Sequence, residues 1–139
     1  MSDPHATDLI STCSSLAKRA LSGAQEIDSI LYDKVDEAGA TEFQELRSLA
    51  TKLQQLSKDA DKLQAGLRAA LVISAELQTA LSTQLPECDA TAAIVNKQFM
   101  RLGKNTPRDA INVATVLQYE SFAESTTRFL FFTTHLLSM

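Results

Sequence analysis

The sequence predicts an all-α fold, an up-down antiparallel bundle of about four helices with a long second helix, built as a single domain over residues 1–139. Three observations predict it. Apolar residues recur three and four apart through residues 46–81, only four glycines and three prolines punctuate the chain, and the turns between periodic segments are short. A composition 45% hydrophobic and 22% charged is ordinary for a folded chain, and 139 residues are too few for two self-sufficient cores, so one shared core is expected.

The first helix is expected over residues 4–37. Ser2 and Asp3 form a polar cap ahead of Pro4, whose fixed φ suits the first helical position. Leu9, Cys13, Leu16, Ala20, Ile27, Ile30 and Leu31 follow at helical spacing, and Gly39 supplies the stop. Ser14, Ser15, Ala17, Ala20, Ser22, Gly23 and Ala24 keep part of this helix narrow, which predicts close approach of a neighbour.

Thr41 to Gln44 has the capping-box pattern and starts the second helix. Leu46, Leu49, Leu53, Leu56, Ala60, Leu63, Leu67, Ala70, Ser74, Leu77 and Leu81 then form an a/d seam, whose leucines are the expected bundle core. Arg47, Lys52, Gln55, Lys58, Asp59, Asp61, Lys62 and Arg68 fill the other faces as a solvated surface. Continued to Leu85, this helix spans roughly 65 Å at about 1.5 Å per residue, against about 40 Å for a globule of this length. Either the bundle is elongated or the helix bends, with Gly66 and the polar Ser57–Asp61 turn as the weak points. Beyond Gly66, Leu67, Ala69, Ala70, Leu71, Val72, Ile73 and Ala75 cover most of the circumference, so this half reads as central.

Leu85-Pro86 is expected to end the second helix, because a residue before proline is pushed out of the α region. A third helix is expected over 87–102, with Cys88, Ala92, Val95, Phe99 and Leu102 on its stripe and Gly103 as its stop. Thr106, Pro107 and Asp109 start a fourth, along which Ile111, Ala114, Leu117, Phe122, Phe129, Leu130, Leu136 and Leu137 follow to the end of the sequence.

The chemistry is sparse. A net charge of −4, a pI near 5.1 and scattered basic residues argue against a nucleic-acid grip. Cys13 and Cys88 lie far apart, and the start has no signal segment, which predicts a cytoplasmic chain with free, inert thiols. His5, Cys13, Cys88 and His135 form no pair at ligand spacing, so no metal is expected; the plainer reading is a frayed His5, two core thiols and a partly exposed His135. Cys88 near a helix start has one attribute of an activated thiol, but Glu87 and Asp89 beside it oppose a thiolate. Glu76, Glu120 and Glu124 sit singly on faces that read as solvated, and no glycine-rich phosphate loop exists. The sequence thus predicts no enzyme, no cofactor and no small-molecule substrate.

Binding surfaces fare better. Phe129-Leu130-Phe131-Phe132 sets four large apolar groups at consecutive positions, about 100° apart, so one core cannot cover them all. Phe129, Phe131, Phe132 and Leu136 are therefore the candidate interface for a protein partner or a homo-oligomer, against the plainer reading that flanking helices or a longer chain bury them. Phe129–Met139 is too short to span a bilayer and no basic residue follows Arg128, so membrane attachment is the secondary reading. The leucine seam also suits an intermolecular coiled coil, though companion amphipathic helices in the same chain favour its internal use.

The segment LPECDATAAIVNKQFMRL from Leu85 to Leu102, together with QYESFAESTTRFLFFTTHLLSM from Gln118 to Met139, resembles the helical N-terminal domains of fungal HeLo-like and STAND (NLR-like) proteins. That resemblance covers the second half of the chain. It implies an all-α signalling or adaptor bundle, membrane-disrupting in some relatives and normally followed by a nucleotide-binding or repeat region. Asp3, His5, Asp8, Lys18 and Arg19 interrupt the first twenty residues, a departure from the membrane-inserting relatives, and no site residue is carried over.

Overall fold

The computed structural model describes residues 4–32, 41–102 and 111–138, and all of its regular structure is helical: α1 (Pro4–Tyr32), α2 (Thr41–Ala69), α3 (Ala75–Leu102) and α4 (Val113–Leu137). The helices pack together as a bundle around one cluster of buried apolar side chains drawn from every helix. Pro4 and Thr41 open their helices where the sequence places them. The expected stretch 33–37 of the first helix, its Gly39 stop and the turn at Lys104 to Pro107 lie outside the described residues.

The leucine seam builds the core of α2. Leu46, Leu49, Leu53, Leu56, Leu63 and Leu67 are all buried, as is Leu81 on α3, while Leu77 is half-buried. The α1 stripe behaves alike, with Leu9, Cys13, Leu16, Ala20, Ile27 and Ile30 buried and Leu31 packed on the core's edge. Gly23 carries the expected close approach: an added Cβ there stands 3.4 Å from Leu53 Cδ1 and 3.9 Å from the Asn96 Cα. Neither expected weak point interrupts α2. Ser57 is buried and donates to the Ala17 carbonyl at 2.8 Å, and Asp59, expected in water, is buried with Oδ1 accepting from Gln55 Nε2 at 3.1 Å.

The continuous rod expected from 46 to 81 is overturned: the chain leaves the helix at Ala70 and re-enters at Ala75. Ser74, read as a seam position, is instead the cap of α3. Its Oγ accepts from the Leu77 N–H at 3.2 Å and its carbonyl from the Gln78 N–H at 2.9 Å, serving donors that a new helix leaves unpaired. Residues 69–75, expected to be central, are mostly exposed, and only Ile73 of that stretch is buried.

Pro86 does not end a helix either; it lies inside α3. Pro86 and Ser82, the residue whose carbonyl loses its helical donor, are both exposed, so this site lies on the solvent side of α3. Leu81, Leu85, Ala92, Val95 and Phe99 pull both halves of α3 onto the same core. Each large apolar side chain so buried stabilises by about 1.5–3 kcal/mol, which together outweighs the roughly 3 kcal/mol cost of an internal proline.

The helix expected to run on from Pro107 through Ile111 is non-helical at Ile111 and Asn112. Asn112 is extended (φ −92°, ψ 109°) and its side chain accepts from the Thr115 N–H at 3.2 Å, which sets the start of α4. The buried face of α4 also departs from expectation. Val116, Glu120, Ala123, Thr126, Leu130 and Thr133 point inward, while Ala114 and Leu117 are exposed. Thr133 tolerates this because its hydroxyl bonds the Phe129 carbonyl of its own helix at 2.9 Å, leaving no orphan donor.

Contacts fix the arrangement. Ser57 meets Ala17 and Leu53 meets Gly23, so α1 and α2 run antiparallel. Arg19 bonds Asp89 and Gly23 faces Asn96, so α1 and α3 run parallel side by side; Lys52 meets Glu120 and Gly66 meets Leu137, so α2 and α4 do the same. Direction alternates along the chain, as expected of an up-down bundle. The lateral order is α3, α1, α2, α4, which leaves the consecutive helices α2 and α3 on a diagonal. The connector 70–74 must therefore cross the end of the bundle.

Candidate interaction surface

All four helices have a terminus at that end: α1 and α3 start there and α2 and α4 finish there, with the connector crossing between them. The connector, the first two turns of α3 and the last turn of α4 surround a cleft of about 560 Å³ lined by Val72, Ile73, Ser74, Glu76, Leu77, Ala80, Leu136 and Leu137. Above it Leu71 and Val72 stand 90% and 84% exposed, because Ile73 alone of the connector's apolar run turns into the core. Phe132, 60% exposed, lies one helical turn before Leu136 and extends the apolar surface along α4.

The Phe129–Phe132 run splays around α4. Leu130 is buried, Phe129 is half-buried against the core, and Phe131 and Phe132 project outward. Phe131, 67% exposed, points toward α2 and lines a cavity of about 180 Å³ with Asp59, Lys62, Thr134, His135 and Ser138. Of the four candidate interface residues, the cleft brings Leu136 together with the connector, Phe132 adjoins it, Phe131 faces another side, and Phe129 belongs mostly to the core. Sequence reading missed Leu71 and Val72. The signal lay in Ser74-Ala-Glu76, a capping serine with an acid in the first turn, which marks a fresh helix start directly after a β-branched pair.

A second assembly is polar. Glu120, expected on a solvated face, is only 5% exposed, and Lys52 on α2 reaches both its Oε1 at 3.2 Å and Glu124 Oε1 at 2.6 Å. Burial pushes the Glu120 carboxyl up, but hydrogen bonds from Ser48, Glu45 and Lys52 together outweigh it and hold the group below its ordinary value. Glu45 is raised, first by its hydrogen bond to Glu120 and then by that neighbour's charge. A groove of about 370 Å³ lined by Lys52, Gln55, Glu124, Thr127 and Arg128 runs beside the cluster. The arrangement keeps Glu120 ionised and so ill suited to donate a proton; it ties α4 to α2.

The thiols are free. Cys13 is fully buried, and burial pushes it up to about 12. Cys88 lies in mid-helix rather than near a helix start, since α3 begins at Ala75; burial raises it first, then the charges of Glu87 and Asp89, against a hydrogen bond from Thr126. Neither has the electropositive, accessible surroundings of a reactive thiolate. Among the described residues no group of three potential ligands could hold a metal ion, and His135 is exposed in the last turn of α4; the His5 side chain lies outside the described residues. No described helix is long and apolar enough to cross a membrane.

Comparison of the chain with protein-family models, with curated proteins and with solved structures finds no match, so a functional reading rests on its own residues.

Proposed function

We propose that this chain is a non-enzymatic protein-interaction or adaptor bundle whose contact surface is the apolar end formed by the connector 70–74 and the last turns of α4. One observation carries the reading: exposed Val72 and Leu136 line one cleft, with exposed Leu71 next to Val72 in the chain and exposed Phe132 one helical turn before Leu136. Large apolar side chains gathered in one place on a surface mark contact sites far more strongly than the same residues scattered singly. The resemblance of the second half to HeLo-like and STAND N-terminal domains agrees with an adaptor role in the cytoplasm, as the signalling module of a larger NLR-like protein.

A photo-crosslinking amino acid at position 132 tests this in cells, with the same group at exposed Ile94 on α3 as the control. Discrete protein adducts at 132, lost when Leu136→Asp is added, are the expected result. Equal adducts at both positions, or none at 132, would refute it.

A lipid-associated role is the second reading, favoured by the placement of the apolar residues at one tip, with Arg68 on the adjoining last turn of α2, where the bundle can meet a surface end-on. Co-sedimentation with anionic vesicles at low salt, abolished by Val72→Asp, is the outcome that would replace the first reading with this one.

A further inference from the structure

We infer that the cavity between α2 and the last turns of α4 binds a primary ammonium group. The inference stands on residues other than those of the apolar end and does not depend on that reading. The cavity, of about 180 Å³, has Asp59 in its lining, and the Asp59 side chain is only 6% exposed. A buried carboxylate needs its lone pairs filled and its charge matched. Its Oδ1 accepts from Gln55 Nε2 at 3.1 Å and faces Lys62 Nζ at 4.0 Å, whereas Oδ2 has no partner among the described residues. Lys62 does not complete the site, because 4.0 Å is beyond hydrogen-bond distance and its side chain is 67% exposed.

Most of the remaining lining also asks for a cation. Thr134 Oγ1 donates to the Leu130 carbonyl at 2.7 Å and Ser138 Oγ to the His135 carbonyl at 2.9 Å, so each hydroxyl has spent its proton and has only lone pairs left to offer. The exposed Phe131 ring lines the same cavity, and the face of an aromatic ring attracts positive charge. Thr134, His135 and Ser138 belong to the C-terminal end of α4, where the helix dipole favours a cation. Lys62 and His135, the lining side chains able to donate, are both exposed.

The free acceptors select the kind of cation. Asp59 Oδ2, Thr134 Oγ1 and Ser138 Oγ suit the separate N–H donors of an ammonium. A guanidinium suits them less, since its paired donors grip both oxygens of a carboxylate and Oδ1 is already engaged. At about 30 Å³ for each water-sized group, the cavity holds roughly an ammonium on a chain of four carbons. A lysine side chain of a partner protein and a free alkylamine share this chemistry.

Amide shifts of the isotopically labelled full chain, titrated with n-butylammonium chloride against sodium chloride at equal ionic strength, read the site. Saturable shifts at Phe131, Thr134 and His135 are the expected result, with methylguanidinium about threefold weaker. Asp59→Asn, which keeps an acceptor for Gln55, should weaken binding about tenfold. Phe131→Leu, at an exposed position that cannot unfold the bundle, should weaken it about threefold. Lys62→Gln, which removes a competing cation, should tighten it by a similar factor, and circular dichroism melts confirm that each variant folds. A short lysine peptide with blocked termini separates the two sources: binding as tight as that of n-butylammonium assigns the site to a partner's lysine, and binding of the amine alone assigns it to a small amine. Shifts no larger than those with sodium chloride, or saturation indifferent to both Asp59→Asn and Phe131→Leu, would overturn the inference.

Discussion

Replacing Pro86 by alanine separates the observed path of α3 from the one local sequence suggests. Because Pro86 lies inside a helix of 28 residues, with Leu81 and Leu85 buried on one side and Ala92 and Val95 on the other, Pro86→Ala restores a hydrogen bond to the Ser82 carbonyl and removes the ring's clash with it. In a helix interior alanine is better than proline by about 3 kcal/mol. A helix already packed around its proline recovers only part of that, so a gain of about 2 kcal/mol is expected. For a chain of this size that corresponds to roughly 6–8 °C in the melting temperature. Thermal and urea unfolding followed at 222 nm measure both, with an unchanged urea m-value showing that the denatured state is unaltered. If the helix ended at Leu85, alanine would give up the chain stiffness that proline contributes at a turn and lose about 0.4–1 kcal/mol. A decrease in stability, or a helix interruption at 85–87 in amide-exchange data, would refute the continuous α3.

Four further outcomes are expected. Leu56→Ala, at a fully buried seam position, should cost about 2–5 kcal/mol by urea unfolding, whereas Leu71→Ala should change stability by less than about 0.5 kcal/mol. Gly66→Ala should stabilise α2 by about 0.5–1 kcal/mol, since the added Cβ meets Leu137 Cδ1 at an ordinary 3.5 Å. The acid limb of stability should carry the sign of the two coupled carboxyls. Glu120, held low when folded, stabilises in full above its ordinary value of 4.5 and loses that as pH falls through its folded value, so Glu120→Gln should flatten the loss below about pH 4.5. Glu45, held high, contributes below 4.5 and loses that as pH rises through its folded value, so Glu45→Gln should raise the melting temperature at pH 7; no rise would show that the two carboxylates do not repel.

Much of the fold was legible because helix periodicity is a local property. The spacing from Leu46 to Leu67 names buried residues one by one, and so do Leu9 to Ile30 and Ala92 to Phe99, since the positions that recur every three or four residues are those that share a face. The errors share a cause. At Pro86 and at the 70–74 segment the local sequence points one way and the packing another: burial of Leu81 and Leu85 carries a helix through the first, and the crossing of the bundle end breaks a helix at the second. For α4, periodic spacing points Leu117 to the core, but the buried face carries Glu120, Thr126 and Thr133, whose polar groups are met by Lys52 and Ser48 of α2, by Cys88 Sγ of α3 and by the helix's own Phe129 carbonyl.

The candidate site divides in the same way. An excess of apolar side chains at Phe129 to Phe132 is visible in the sequence because consecutive positions on a helix cannot share one face. That Val72 and Leu136 line one cleft, with Leu71 and Phe132 beside them, is visible only in the tertiary structure, since the two lie some sixty positions apart and meet because the connector crosses the bundle end between α2 and α3. The sequence by itself determined that the chain is helical and which faces of α1, α2 and α3 are buried, for those follow from local spacing. The tertiary structure decided where the helices break, which are neighbours and which apolar groups are left to water, for those depend on packing partners that no local window contains.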